Sequence, residues 1–331
     1  MGIPTFMKNM QQDKPHIKNR TYDNVYIDCN YLLHYLIYNC KNDNDLNTKI
    51  HNYIKYLFET IKITSSIELI FDGKHPHHLQ KINPKRLTQE KRNKNKKESD
   101  DYDKQRIAPK TEIITTFKTF ITEAIKYQKM MNKFNFQINI NDDSIEDEAD
   151  FKILHSINDN NFQKICIVSK DSDMVLIAYS MICKKNIKID ILSNLRPILF
   201  IDINELETDY NIDYILVILL LGNDYLPKLS NIDYATIMTN YIKYKKHKNP
   251  HIIIDGKVDF NNFLNFITYI ILDKKVKYKF NSLDYKRFEK YYNNILWCLK
   301  KYKVIDNDNE YIEDTNNVIN IYNFVFYNTI I

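Results

Sequence analysis

The chain has 331 residues, 44% hydrophobic and 27% charged, which is enough for one large domain or two modest ones around a real core. A net charge of +5 and a pI near 8.6 permit a nucleic-acid partner without demanding one. Four glycines exclude a P-loop or a G-x-G-x-x-G turn, and five scattered cysteines without a C-x-x-C pair exclude a disulfide scaffold and read as reduced, intracellular residues.

In chain order, Val25 to Asp28 is a short apolar strand ending in an aspartate, and Asn30 to Cys40 carries apolar residues at helical spacing. Leu46 to Ile61 is a second amphipathic helix, and Ile67 to Asp72 is another strand ending in aspartate, with Gly73 at the turn. Lys81 to Lys97 then holds eight Lys or Arg residues with few large apolar ones. It reads as a solvated loop, a nuclear-import signal or a basic arm that grips phosphate.

Thr111 to Phe134 is a long amphipathic helix, followed after Phe136 to Ile140 by six acids in the nine residues from Asp142 to Asp150. Acids suit a helix N-terminus, yet so many like charges also suit a bound cation. The helix runs on through Phe151 to Ile157 into the apolar strand Cys166 to Val168, which ends in Asp171-Ser172-Asp173. In extended chain, alternate residues point one way, so these two aspartates are expected to aim at one point beyond the strand. Aspartates at that place also cap helices.

Met174 to Cys183 is a helix, Ile187 to Leu192 and Ile198 to Ile201 are strands, and Ile212 to Leu221 is a buried helix stopped by Gly222. From about residue 231 the chain reads as helical and rich in Tyr and Lys. The N-terminus lacks an apolar signal region and the strongest apolar run, Tyr214 to Leu221, is too short to span a bilayer. A cytoplasmic location is expected, with nuclear entry open through the basic segment.

Strands ending in Asp and followed by helices predict an α/β fold, a twisted parallel sheet with helices on both faces. Residues 1–230 would form it, with a basic arm at about 81–106, and 231–331 a helical extension. Seven carboxylates stand out: Asp28, Asp72, Glu148, Asp150, Asp171, Asp173 and Asp224. No Cys/His set has zinc spacing, and His75-Pro76-His77-His78 reads as solvent-facing. Oxygen-only ligands select Mg²⁺ or Mn²⁺, and two such ions are the device for phosphoryl displacement.

These motifs resemble the Xrn-type 5′→3′ exoribonucleases, within the wider flap-endonuclease-like, PIN-like superfamily. Met1-Gly2-Ile3-Pro4 and Phe6 look like that family's N-terminus. Asp28, Asn30 and His34 match D-x-N-G-x-x-H, with Tyr31 in place of the glycine; Asp72-Gly73 and Pro76 match D-G-x-x-P. Glu148, Asp150, Lys152 and Ile153 correspond to E-G-E-H-K-I, with Asp for the second Glu and Phe151 for the His. Asp171-Ser172-Asp173-Met174 matches D-A-D-L, and Gly222 to Pro227 matches G-N-D-F-L-P. Asp255 to Phe260 and Ile295 to Trp297 resemble helical-region signatures. The usual aromatic-rich closing segment is not seen in 304–331, so a compact form lacking the family's usual C-terminal domains is expected.

The resemblance implies hydrolysis of single-stranded RNA with a 5′-monophosphate, using Mg²⁺ or Mn²⁺ and two ions. Glu148, Asp150 and Asp171 would hold the ion at the attacking water, and Asp173 and Asp224 the other at the leaving oxygen. Asp28 and Asp72 would bind directly or through water. His34 would stack on the first base or simply pack on its helix. Lys85, Arg86, Gln89 and Arg92 are candidates for the 5′-phosphate, since Pro84 interrupts the match there. Two alternatives stay open: a flap-endonuclease-like DNA nuclease, disfavoured because no glycine lies between Asp224 and Asp255, and an inactive RNA- or protein-binding scaffold.

Overall fold

The computed structural model describes residues 20–73, 107, 109–195, 198–205, 211–223, 225–226, 233–248, 251–272 and 285–306. Those between 20 and 205 fall in one compact unit and those between 211 and 306 in another.

The first unit is built on a six-stranded sheet in the order β3-β2-β1-β4-β5-β6. The strands are β1 (Arg20–Asp28), β2 (Ile61–Ile70), β3 (Gln137–Asn141), β4 (Lys164–Val168), β5 (Lys188–Leu195) and β6 (Ile198–Asp202). β1 pairs in parallel with β2 and β4, in register at Asp28↔Ile70 and Ile27↔Val168. Val25, Tyr26 and Ile27 are fully buried, as a central parallel strand covered on both faces requires. Their alternation sorts the faces: Val25 and Ile27 join the core with α1 (Cys29–Leu36), α2 (Asp43–Thr60) and α3 (Glu112–Met131). Tyr26 turns the other way, its hydroxyl meeting Ser156 of α4 (Ala149–Asp159).

α2 shows why these helices form. Asn42 caps it, accepting from the Asp45 amide at 3.0 Å, and Asp43 and Asp45 sit in the first turn. Leu46, Ile50, Ile54 and Leu57 recur every three to four residues and are fully buried, each contributing about 1.5–3 kcal/mol.

The mostly parallel sheet with its helices is as expected, and it carries one antiparallel edge: β6 runs antiparallel to β5. Only residues 196 and 197 link the two strands, far short of the crossover that a parallel pair needs. Residues 137–141, assigned to no element from the sequence, are the strand β3 beside β2. Ile138 and Ile140 alternate with polar residues as a strand's do, but the stretch is only five residues long and largely exposed at the sheet edge, which leaves it a weak signal.

In the second unit are α6 (Asp213–Leu219), α7 (Tyr234–Lys248), the two-residue strands β7 (Ile253–Ile254) and β8 (Lys257–Val258), α8 (Phe260–Leu272) and α9 (Tyr285–Lys301). The β7–β8 hairpin turns on Asp255 (φ 47°) and Gly256 (φ 71°), the left-handed pair that an Asp-Gly turn supplies. Buried Asp213 accepts from the Ile252 and Ile253 amides at 3.0 and 2.7 Å, tying α6 to that hairpin. Among the described residues no helix is long and apolar enough to cross a membrane.

Candidate active site

The direction of strand addition reverses between β1 and β4, and crevices in open α/β sheets form beyond the carboxyl ends at such a switch. Asp28 ends β1 there and is only 6% exposed. Its Oδ1 accepts the Tyr31 amide at 3.0 Å, capping α1, and its Oδ2 accepts the Ser169 hydroxyl at 3.2 Å. Ser169 Oγ in turn accepts the Asp171 amide at 3.2 Å, so one serine ties the end of β4 to the end of β1.

Asp72 lies two residues past β2. Its amide donates to Asn30 Oδ1 at 3.0 Å, and its Oδ1 accepts the Ala149 amide at 2.7 Å. An aspartate from β2 therefore does the capping at the start of α4, while Glu148, at the N-cap position, makes no side-chain capping bond. Lys152, buried on α4, locks the arrangement: its Nζ donates to the carbonyls of Phe71 at 2.7 Å and Asp142 at 2.9 Å. Burial pushes its ammonium pKa down, against the pull of Asp72 and other nearby acids.

The acidic run from Asp142 to Asp150 is divided in its work. Asp143 is buried, accepts the Lys110 amide and pairs with Lys118 at 3.4 Å, while Asp142 accepts from Ser144. Asp147 holds φ at 105° and its carbonyl accepts the Gly73 amide at 2.9 Å. Glu148 and Asp150 lie at the start of α4, and Asp150 has Asp171, Asp28, Glu148 and Asp173 as its acidic neighbours. Gly73 is not there for a left-handed turn: a Cβ on it would stand 1.7 Å from the Ile145 carbonyl oxygen. The chain from 142 to 148 lies against β2's end, and only glycine admits it.

Asp171 and Asp173 do not alternate along extended chain. Asp171 caps α5 (Ser172–Ile182), its Oδ1 accepting the Asp173 amide at 3.1 Å, and Asp173 lies in the helix's first turn. The two still share a neighbourhood with the rest. Burial pushes the Asp28 carboxyl up to about 7, reinforced by Asp72 and Asp171. Asp150 is pushed well above the carboxylate range by desolvation and then by Asp171, Asp28, Glu148 and Asp173. Through Asp28 and Asp150, acids from four chain segments thus act on one another.

This donor set, all carboxylate and mutually repelling, fits a hard divalent cation. Among the described residues no three histidine, cysteine or acidic side chains stand as a ready-made metal cluster. The hydrogen bonds to Asp28, Asp72 and Asp171 instead hold those carboxylates against the chain. His34 is on α1 with its side chain exposed. Lys85, Arg86, Gln89, Arg92, Asp224 and the histidines at 75, 77 and 78 lie outside the described residues.

The loop before Asp224 is described and is held tightly. Asn223 is buried; its Oδ1 accepts the Tyr225 and Leu226 amides, each at 2.9 Å, and its Nδ2 donates to Tyr302 at 3.1 Å. The Tyr225 ring stands 4.8 Å from that of Trp297 on α9. Two motifs far apart in sequence, Gly222 to Pro227 and Ile295 to Trp297, are thus one packed structure.

A family model described as XRN 5′-3′ exonuclease N-terminus matches residues 1–194, more than half of the chain. The chain belongs to this family. The 5′-3′ exoribonuclease 1 of Saccharomyces cerevisiae is 24% identical over 377 residues, covering 89% of this chain and 24% of that protein. The chain spans about a quarter of that relative's length. Solved structures similar to it include the catalytic core of Rad2 in complex with a DNA substrate, at 14% identity and a TM-score of 0.46, covering 98% of this chain and 96% of that one. Flap endonuclease-1 from Methanococcus jannaschii follows at 16% identity and 0.35, covering 93% and 94%.

Ser169, Asn30, Lys152 and Asn223 are site residues to which sequence reasoning gave no role. Asn30, Lys152 and Asn223 sit inside motifs that the sequence does display, and that position was their one available signal; Ser169 had none.

Proposed function

We propose that the chain is a divalent-metal-dependent 5′→3′ exoribonuclease that hydrolyses single-stranded RNA bearing a 5′-monophosphate and releases nucleoside 5′-monophosphates. The observation that carries this reading is the crowd of six carboxylates at a topological switch, close enough that burial and repulsion hold Asp28 at about 7. Membership of the exonuclease family supports the reaction and its polarity.

Asp28, Asp72, Glu148, Asp150, Asp171 and Asp173 would hold Mg²⁺ or Mn²⁺, and Asp224 is assigned by the family resemblance alone. Bound ions of this kind supply an activated water and neutralise charge on the leaving oxygen. The chain's own part is preorganisation. The Tyr31 amide and Ser169 hydroxyl orient Asp28, the Ala149 amide orients Asp72, and the Asp173 amide orients Asp171. Lys85, Arg86, Gln89 and Arg92 would receive the 5′-phosphate and His34 the first base.

The test is cleavage of 5′-labelled RNA and DNA carrying a 5′-phosphate, hydroxyl or triphosphate. Labelled mononucleotide is expected first from 5′-phosphorylated RNA in Mg²⁺, none in EDTA, and none from Asp171→Asn. Lys85→Ala with Arg86→Ala is expected to slow the phosphorylated substrate roughly a hundredfold, the effect of about 3 kcal/mol in charged hydrogen bonds, and the hydroxyl substrate far less. Faster cutting of a DNA flap, or internal products ahead of mononucleotides, overturns the reading.

A further inference from the structure

The outward side of α1 is made of rings. Tyr31, His34 and Tyr35 stand at i, i+3 and i+4, one stripe of a helix, with Tyr38 just past its end. Leu32, Leu33, Leu36 and Ile37 turn inward and are buried, whereas Tyr35 is 48% and Tyr38 69% exposed. The Tyr31 and Tyr35 rings are 6.4 Å apart and within 28° of parallel, and Tyr53 of α2 meets Tyr35 edge-on at 6.4 Å. The stripe begins at the carboxylates, because the Tyr31 amide is the one bonded to Asp28 Oδ1. α1 itself carries no acidic residue, and Lys49 Nζ sits at the far end on the carbonyls of Leu36 and Tyr38.

We propose that this tyrosine stripe is a stacking platform for the bases of the single-stranded nucleic acid whose scissile phosphate lies at the carboxylates. The inference rests on the function proposed above and adds how the substrate strand is held. Three features select this occupant. The stripe is continuous with the carboxylate site, so a strand reaching one reaches the other. Its exposed surface is planar and aromatic and has no aliphatic side chain, which suits base faces and tolerates any sequence. It presents no carboxylate of its own to repel a phosphate backbone, while Lys49 adds a cation at its end. The family resemblance accounts only for His34 here. Tyr31 stands where the family's motif has glycine, so the platform is a property of this chain.

Binding is measured by fluorescence anisotropy on the full chain carrying Asp171→Asn, in Mg²⁺, so that strand length does not change. The probe is a 3′-labelled, 5′-phosphorylated single-stranded RNA, beside the same oligonucleotide made abasic at its first few nucleotides. The normal RNA is expected to bind more tightly than the abasic one. Tyr31→Ala and Tyr35→Ala should each weaken the normal RNA roughly tenfold, the scale of one lost base–aromatic stack, and leave the abasic RNA unchanged. Tyr35→Phe, which keeps the ring, should behave as the parent. Equal affinity for both probes, or equal losses on both in the alanine variants, overturns the platform while the nuclease reading stands. If the parent chain binds neither probe, both proposals fail together.

Discussion

At the scale of single residues, the parts that position the carboxylates are ordinary polar side chains whose partners lie far along the chain. Ser169 reaches Asp28 across 141 positions, Lys152 reaches Phe71 across 81, and Asn30 reaches Asp72 across 42. Before the chain is folded only their motif positions set Asn30 and Lys152 apart, and nothing distinguishes Ser169 from any other serine. The carboxylates were legible because several follow apolar strands and because each sits in a recognisable motif. Ser169 offers a direct test of the positioning role. Its hydroxyl bonds a buried carboxylate held at about 7, so the bond is strongest when Asp28 is ionised. Ser169→Ala should lower stability in EDTA by about 1.5–3 kcal/mol at pH 8, the range for a hydrogen bond to a charged group, and by clearly less at pH 5. Urea denaturation at the two pH values reads the difference. An equal loss at both would mean that the serine merely packs.

Elements were legible where their periodicity was strong and bounded by caps. α2 and α3 begin and end within a few residues of the sequence reading, since each presents a regular apolar stripe. The D-x-D at the end of β4 was placed correctly but given the wrong geometry, because Asp171 ends the strand by capping α5 and carries Asp173 into the helix. The register between β2 and the chain before α4 was invisible in sequence, and Gly73 is its mark. A Cβ there meets backbone, the Ile145 carbonyl at 1.7 Å, so the whole segment leading to Glu148 must move. Gly73→Ala should cost about 1–3 kcal/mol as an overpacked site and cut cleavage at least tenfold. Gly256→Ala is the control: its Cβ meets the Asp306 side chain and its φ is +71°, so it should lose about 1–2 kcal/mol of stability and keep the cleavage rate. Thermal melts and single-turnover rates on both variants separate a local strain from a displaced site.

For the whole molecule, the net charge of +5 hides a local excess of negative charge at the carboxyl ends of β1, β2 and β4. Protons and divalent cations relieve that excess in competition with each other. The Asp28 carboxyl rises from an ordinary 3.8 to about 7 on folding. Between those values the folded chain binds more protons than the unfolded one, so stability falls as pH rises. Below the lower value both states are protonated and there is no penalty; above the upper value both are ionised and the penalty is complete. Asp150 is displaced in the same direction and adds to the slope. In EDTA the protein should therefore be more stable at pH 5 than at pH 8 by on the order of a few kcal/mol, and melt at a correspondingly higher temperature. Millimolar Mg²⁺ should restore most of that loss at pH 8, because an ion that binds only the folded state stabilises it by mass action, and should do little at pH 5. Asp28→Asn removes one of the two displaced carboxyls, so it should reduce the pH dependence in EDTA and shrink the Mg²⁺ effect. Scanning calorimetry over the pH range, with and without Mg²⁺, decides the matter. A melting temperature in EDTA that climbs from pH 5 to pH 8 would mean that the six carboxylates do not act as one repelling cluster, and the metal assignment would lose its physical basis.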